Sequence, residues 1–226
     1  GFEDNFVPRG ATFTAKRKRT RKRLLDIANA LTGASFSDDA LIISISGRYE
    51  FRNKGIDVFI EAMHRLNNDE RLKKQVVAFI EVPAWIADNR EDLRERLASG
   101  KHFDEPLPTP VITRWLHNMG EDRVLNMMRS LDMLNRKYDK VKTIFIPCYL
   151  TGDDGIVDLP YFDVTLGNDL SVYPSYYEPW GYTPLESTAF HVPTITTNLS
   201  GFGLWVNSEI GRNGEIADGV KVIHRT

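Results

Sequence analysis

The sequence predicts an α/β protein, a doubly wound parallel sheet of the Rossmann-like kind, and three observations carry that expectation. The period of the apolar residues switches repeatedly between that of a buried strand and that of an amphipathic helix. The strand segments are apolar on both faces, as strands covered by helices on either side must be. Strands and helices also alternate along the chain, the order that a parallel sheet with crossover helices requires.

Taken in order, Leu24, Leu25, Ile27, Ala28 and Leu31 share one helical face, closed by Gly33. Residues 41–46, Leu-Ile-Ile-Ser-Ile-Ser, form a β-rich run ending at Gly47, and Ile56, Phe59, Ile60, Met63 and Leu66 resume helical spacing. A second unit has a strand at 75–81 and a charged helix at 89–99; a third has a helix at 121–136 leading to a strand at 142–149. The end of the chain carries a short strand from Leu170 to Tyr173, a helix from Thr183 to Phe190, a strand from Thr194 to Thr197 and another from Val220 to Ile223. The Pro-rich piece at 106–110 reads as a loop. With no repeat and no low-complexity linker, residues 1–226 are expected to form one domain.

At 226 residues, 42% hydrophobic and 27% charged, the chain has core enough for such a domain, which excludes disorder and collagen. Its 29 basic and 31 acidic residues leave a formal net charge of -2, so the whole-protein field favours neither nucleic acid nor an anionic membrane as partner. Cys148 is the sole cysteine and has no internal disulfide partner, which fits a reducing, cytoplasmic setting. The apolar stretches at 41–45 and 143–150 are too short to span a bilayer. The opening Gly1-Phe2-Glu3-Asp4 has neither an initiator Met nor the order of a signal peptide, and reads as a cut fragment. His64, His102, His117, His191 and His224 have no metal-type spacing, so no metal site is expected. Lys16 to Arg23 holds seven cations in eight positions and reads as a solvated first helical segment, with nucleic acid as the alternative; at a helix start these charges would oppose the dipole.

Ligands of open α/β sheets bind beyond the carboxyl ends of the strands, which directs attention to the segments after Ser46, Glu81, Tyr149 and Tyr173. The first is Gly47-Arg48-Tyr49-Glu50-Phe51-Arg52-Asn53-Lys54-Gly55. Arg48 follows a strand and Lys54 precedes a helix; two fixed cations so placed suit a diphosphate, one as a planar fork and the other as a point charge. The alternative is a solvated polar loop. The second segment is Pro174-Ser175-Tyr176-Tyr177-Glu178-Pro179-Trp180-Gly181-Tyr182-Thr183-Pro184-Leu185-Glu186. Its end reads as a capping box, with Thr183 as N-cap, Pro184 at the first helical position and Glu186 three after the cap. Free N–H groups at that helix start suit an anion, and Gly181 lets a ligand approach closely; Glu186 alternatively serves the cap alone. Tyr173, Tyr176, Tyr177, Trp180 and Tyr182, with Glu178 among them, suit a sugar pocket and equally a core or an oligomer surface.

These two segments, followed by Thr196-Thr197-Asn198-Leu199-Ser200-Gly201-Phe202-Gly203, resemble glycogen synthases of the fungal and animal type, glycosyltransferase family 3. The match is weaker across 85–170. The resemblance implies the C-terminal, nucleotide-sugar-binding half of a GT-B glycosyltransferase, in which two Rossmann-like domains face each other across a cleft. It implies a retaining transfer of glucose from UDP-glucose to the non-reducing end of glycogen or another α-1,4-glucan, with no metal or other cofactor. It further implies an N-terminal domain of the same protein as partner, and it is compatible with a homo-oligomer. Carried over residue by residue, Arg48 and Lys54 match the cationic pair on the donor's diphosphate, Glu178 the glutamate near the transferred glucose, and Glu186 the glutamate on the ribose. Gly181, Tyr182 and Thr183 match the stretch that meets the phosphates, and Tyr161, in Leu159-Pro160-Tyr161-Phe162, the tyrosine that stacks on uracil. His191 departs from the pattern, standing where the family usually has the Gly that ends a helix. The chain stops at Thr226, before the basic helix that senses glucose 6-phosphate in eukaryotic members. The rival reading of another class is a non-catalytic nucleotide- or carbohydrate-binding module of the same fold.

Overall fold

The computed structural model describes residues 4–226; the opening Gly1-Phe2-Glu3 lies outside the described residues. The elements run α1 (Gly10–Thr32), β1 (Leu41–Ser46), α2 (Ile56–Asn67), β2 (Val76–Glu81), α3 (Glu91–Ser99), α4 (Arg123–Ser130), β3 (Val141–Ile146), α5 (Tyr161–Leu166), β4 (Leu170–Val172), α6 (Tyr182–Ala189), β5 (Thr194–Thr197), α7 (Gly201–Ile210) and β6 (Val220–Ile223). The strands form one sheet in the order β3-β2-β1-β4-β5-β6, and every pair is parallel. This is the doubly wound arrangement expected, and its strand order reverses between β1 and β4. At that point the chain leaves two neighbouring strands in opposite directions, and a crevice opens at their carboxyl ends.

The two faces of the sheet explain why the strands lack alternation. Ile42, Val77, Phe79 and Ile144 pack with Leu24, Ile27 and Leu31 of α1 on one side. Ile43, Ile45, Ala78, Ile80 and Phe145 pack with Phe59, Ile60 and Met63 of α2 and Leu125 of α4 on the other. Fully burying such a side chain stabilises the fold by about 1.5–3 kcal/mol, so a polar residue facing either side is unfavourable without a partner.

Several expected boundaries move. The expected helix at 121–136 stops at Ser130, because Asp132 and Asn135 take positive φ (55° and 53°). Pro147, which has no N–H to donate, follows the end of β3 at Ile146, three residues before the expected end. Two helices were not anticipated. α5 has only six residues, and α7 opens on Gly201 and Gly203 with Ser200 as its cap, accepting from the Gly203 N–H at 3.0 Å.

The cationic run is only in part a solvated helical segment: Lys18, Arg19 and Lys22 are exposed, while the others make specific contacts. α1 begins at Gly10, so residues 16–23 lie beyond its first turn, where the dipole penalty has faded. Arg17 donates to the Leu166 and Asn168 carbonyls (2.7 and 2.8 Å) and to Asp169 (2.8 Å). Arg21 donates to the Gly167 carbonyl (3.0 Å), Asp169 (2.8 Å) and the Ala40 carbonyl (2.7 Å). Lys16 and Arg19 meet Asp163, and Arg23 meets the Ile156 carbonyl at 2.9 Å. These side chains fasten α1 to α5, to the start of β4 and to the loop before α5, and α5 in turn carries Tyr161.

Candidate functional site

The loop after β1 leaves the sheet through Gly47 (φ 140°), turns through Lys54 N–H to Glu50 O (2.9 Å), and enters α2 at Gly55, whose φ is 71°. A Cβ on Gly55 would lie 2.1 Å from the Pro174 carbonyl oxygen. The cation loop therefore packs backbone to backbone on the loop after β4, a contact open only to glycine. Tyr176 N–H donates to the Asn53 carbonyl at 2.8 Å and adds a second tie between the loops. The carboxylate loop is held from its other side by Glu178 N–H to Leu199 O (3.2 Å), Gly201 N–H to Glu178 O (3.1 Å) and Phe202 N–H to Trp180 O (2.7 Å).

These contacts bring Lys54 and Glu178, 124 residues apart, into a direct ion pair with both side chains largely buried. Arg48 behaves differently. Its side chain is 79% exposed and meets Glu50 Oε1 at 3.1 Å, so its guanidinium is free to swing toward a ligand.

Next to these groups is a cavity of about 510 Å³ at the carboxyl edge of the sheet. In strand order its lining runs from Thr183 at the start of α6 and Gly47, Arg48 and Tyr49 after β1, through Glu81 and Pro83 at the end of β2, to Cys148 to Thr151 after β3, with Tyr161 at the start of α5. Of the residues singled out in the sequence, Arg48, Tyr161 and Thr183 line the cavity, whereas Lys54, Glu178, Gly181, Tyr182 and Glu186 do not.

The start of α6 departs from expectation. Its N-cap is Gly181 (φ 107°), not Thr183, and no side chain caps it. Tyr182 and Thr183 occupy the first helical positions and Pro184 the third, so the capping box between Thr183 and Glu186 does not form. The two-residue shift of the cap makes Glu186 the fifth helical residue, past the first turn. Helix geometry then leaves the Tyr182 and Thr183 N–H groups to a ligand or water, and the Glu186 carboxyl is free for another task. It is half-buried, and burial raises its pKa. Tyr173 is core, Trp180 packs with Phe202 and Trp205, and Tyr176, Tyr177 and Tyr182 are exposed.

Tyr161 opens α5 beside the cavity, and its hydroxyl shares a 2.9 Å hydrogen bond with Ser46 Oγ. Tyr173 approaches the same oxygen at 3.4 Å. Burial holds both phenols above their ordinary pKa. Burial also pushes the Glu81 carboxyl up to about 8 and the Cys148 thiol up to about 11. The floor of the cavity thus disfavours charge, while the cations sit at its rim and in the neighbouring ion pair.

Sequence reasoning passed over Glu81, Tyr149 and Thr151 as site residues. Glu81 had a legible signal, a lone carboxyl at the carboxyl end of an otherwise apolar strand. Tyr149 and Thr151 lay in the segment read as the end of a strand and its loop.

The sequence matches the family described as Glycogen synthase over residues 33–96 and 87–226. It is similar to the glycogen (starch) synthase of Neurospora crassa, 33% identical over 241 residues, covering 83% of this chain and 34% of that protein. Isoform 2 of Saccharomyces cerevisiae is 32% identical, covering 83% and 35%, and the liver protein of Mus musculus 30%, covering 83% and 33%. The chain therefore spans about a third of the length of these relatives. Among solved structures, HepE of Anabaena in complex with UDP and glucose aligns with a TM-score of 0.48 at 14% identity, covering 99% of this chain and 41% of that one. On the family match, which extends over both loops and the whole of the sheet's carboxyl edge, the chain belongs to the glycogen synthase family.

Proposed function

We propose that this chain forms the nucleotide-sugar-binding half of a GT-B glucosyltransferase of the glycogen synthase type. Together with an N-terminal domain across the cleft, it transfers glucose from UDP-glucose to the non-reducing end of an α-1,4-glucan, in the cytoplasm, with retention of configuration and without a metal ion. The observation that carries the reading is the Lys54–Glu178 pair, which joins the cation loop to the carboxylate loop at the switch point of a sheet in this family.

Breaking the anomeric bond sends negative charge onto the diphosphate and leaves positive character on the sugar. Arg48, Lys54 and the N–H groups at the start of α6 act on the first, and preorganised donors aimed at developing charge are often the largest catalytic term. Glu178 acts on the second. In the free chain Lys54 neutralises Glu178; the incoming diphosphate competes for the ammonium, so donor binding turns the carboxylate toward the sugar. Attack by the acceptor hydroxyl on the leaving-group face, its proton passing to the departing diphosphate oxygen as the anomeric bond breaks, preserves configuration, and an orienting carboxylate suffices without a covalent intermediate. Tyr161 stacks on the base and Glu186 holds the ribose hydroxyls.

The experiment is steady-state transfer from UDP-glucose to glycogen by the full-length protein. Arg48→Ala and Lys54→Ala are each expected to lower kcat by about 100-fold or more, the usual loss when one donor to a developing anion is removed. Lys54→Arg should rescue poorly, because a planar fork does not replace a point charge. Near-normal turnover in both alanine variants rules the pair out of the site.

A further inference from the structure

Glu81 is 5% exposed and forms the last residue of β2, between Ile80 and Val82. Five of the six β2 side chains are apolar and buried, and nothing in the sheet calls for a carboxyl there. Its Oε2 is buried without a hydrogen-bond partner, and the side chain forms part of the floor of the 510 Å³ cavity. An unpaired buried polar atom is destabilising, and here it belongs to a side chain in the lining of a cavity large enough to admit a partner. The terminal torsion of a Glu side chain is broad and two-fold, so either oxygen can turn to meet it.

We propose that Glu81 is a specificity-determining residue of the donor site, its carboxyl hydrogen-bonding the nucleoside end of the bound nucleotide sugar. The inference rests on the donor-site reading above and extends it to a residue outside the cation and carboxylate loops. Placement carries it. Arg48 follows β1 and Thr183 opens α6 after β4, whereas Glu81 ends β2 and Tyr149 follows β3, so a diphosphate held by Arg48 and the start of α6 directs its nucleoside across the sheet edge toward Glu81 and Tyr149.

The surroundings set the form of the carboxyl. The groups around it are the Ser44 hydroxyl and the phenols of Tyr161 and Tyr173, which meet at Ser46 Oγ; the Cys148 thiol, beside Arg114 and Asp154, lies elsewhere in the lining. Arg48 is the only cation among the residues that line the cavity, and its ion-pair partner is Glu50. Glu186, beyond Tyr161, adds negative charge. Burial therefore holds Glu81 neutral at pH 7, titrating at about 8. A neutral carboxyl offers one donor beside one acceptor. That pair complements the imide edge of uracil, where an N–H stands beside a carbonyl. Ionisation removes the donor and sets a second negative charge in the same pocket as the nucleotide.

The test is calorimetric titration of the full-length protein with UDP between pH 6.5 and 9.5, using Glu81→Gln as the reference. Gln keeps a donor and an acceptor but does not titrate, so it cancels the ionisation of the nucleotide itself. The wild type is expected to lose UDP affinity about tenfold per pH unit above pH 8 relative to Glu81→Gln, as follows when only the protonated form binds. Glu81→Leu is expected to weaken UDP about 5- to 30-fold at pH 7, in line with about 1–2 kcal/mol for a lost hydrogen bond. It should leave inorganic pyrophosphate binding unchanged. Coincident pH profiles for the wild type and Glu81→Gln overturn the inference, as does Glu81→Leu binding UDP normally or losing UDP and pyrophosphate equally. A wild type that binds no UDP overturns the donor-site reading and this inference together.

Discussion

The two wings of the sheet are built to different standards. On one side of the switch point, β3, β2 and β1 are six-residue strands paired along their whole length, with a large apolar cluster on each face. On the other, β4, β5 and β6 have three or four residues, and β1 and β4 share only two paired positions. The apolar clusters of this second wing are small, one around Phe202 and Val222, the other around Leu166 and Phe190. The long wing supplies a rigid floor and the short wing supplies the carboxylate loop and α6. Glu178 is thus held mainly by backbone hydrogen bonds to neighbouring loops, in the part of the molecule with the least core.

The sharpest way to break this comparison is to open a cavity in each wing. Phe79 of β2 is fully buried, and Phe79→Ala is expected to cost about 3–5 kcal/mol of global stability, the usual range for an enclosed aromatic. Phe202 of α7 is as well buried but belongs to a small cluster with Trp180 and Trp205. Phe202→Ala should fall at or below the low end of that range and weaken UDP binding in the protein that remains folded, because Trp180 leads into the start of α6. Urea unfolding and UDP titration measure the two effects. Equal global losses, with UDP affinity intact in the folded Phe202→Ala protein, would show that the wings do not differ in this way.

A second test separates the two glutamates of the short wing. Glu178→Gln is expected to lower transfer by on the order of 100-fold, as for loss of one charge partner in a transition state, while leaving UDP affinity intact or tightened, because the carboxylate no longer competes for Lys54. Glu186→Gln should do the opposite and weaken UDP. Because the capping box does not form, Glu186→Gln is expected to leave thermal stability unchanged or slightly raised. Burial raises the pKa of this carboxyl in the folded chain, so its ionised form opposes folding as pH rises through its titration range, and an amide removes that opposition. A lowered melting temperature with unchanged UDP affinity would return Glu186 to a structural role.

What the sequence made legible follows the same division. β1, β5 and β6 fall where periodicity places them, and β2 within one residue, because buried apolar runs bounded by Gly, Pro or polar residues are strong signals. α5 and α7 escaped because one is under two turns and the other opens on Gly-Phe-Gly, which reads as a loop. The cationic run departs in part from its expected solvated state for a physical reason. Most of the partners of Arg17, Arg21 and Arg23 are carbonyls and carboxylates more than a hundred residues away, and local patterning carries no trace of them. Lys54 and Glu178 were singled out separately, but their pairing needs the Gly55–Pro174 contact, which only the fold supplies.

Tyr161 links the wings, since its ring lines the cavity and its hydroxyl bonds Ser46 of β1. Stacking on a base is worth about 1–3 kcal/mol, so Tyr161→Ala should weaken UDP about 5- to 100-fold. Tyr161→Phe keeps the face and should largely preserve binding, at a stability cost of about 1 kcal/mol for the lost hydrogen bond. UDP titration beside thermal unfolding distinguishes the two. If Tyr161→Phe damaged UDP binding as much as Tyr161→Ala, the Ser46 bond and not the ring face would be what the donor needs.

The smallest expected effect lies at the end of α6, where His191 stands at the position the resemblance expects to be Gly. The helix closes with His191 N–H to Thr188 O (3.0 Å) and Val192 N–H to Ser187 O (3.1 Å), the paired bonds of a Schellman motif. His191 takes the left-handed conformation this requires, with φ 62°, so the substitution leaves the cap geometry intact and bears its strain. A non-glycine residue in that region costs about 1–2 kcal/mol. The imidazole recovers part of this through an edge contact with Phe13, with ring centroids 5.9 Å apart, and by lying against α1 rather than in the site. His191→Gly is therefore expected to stabilise the protein by about 0.5–1 kcal/mol, a gain typical of relieving a strained turn. UDP affinity should not change. Unfolding in urea at fixed pH measures the gain; a destabilised His191→Gly would mean that the Phe13 contact, joining α1 to the short wing, outweighs the backbone strain.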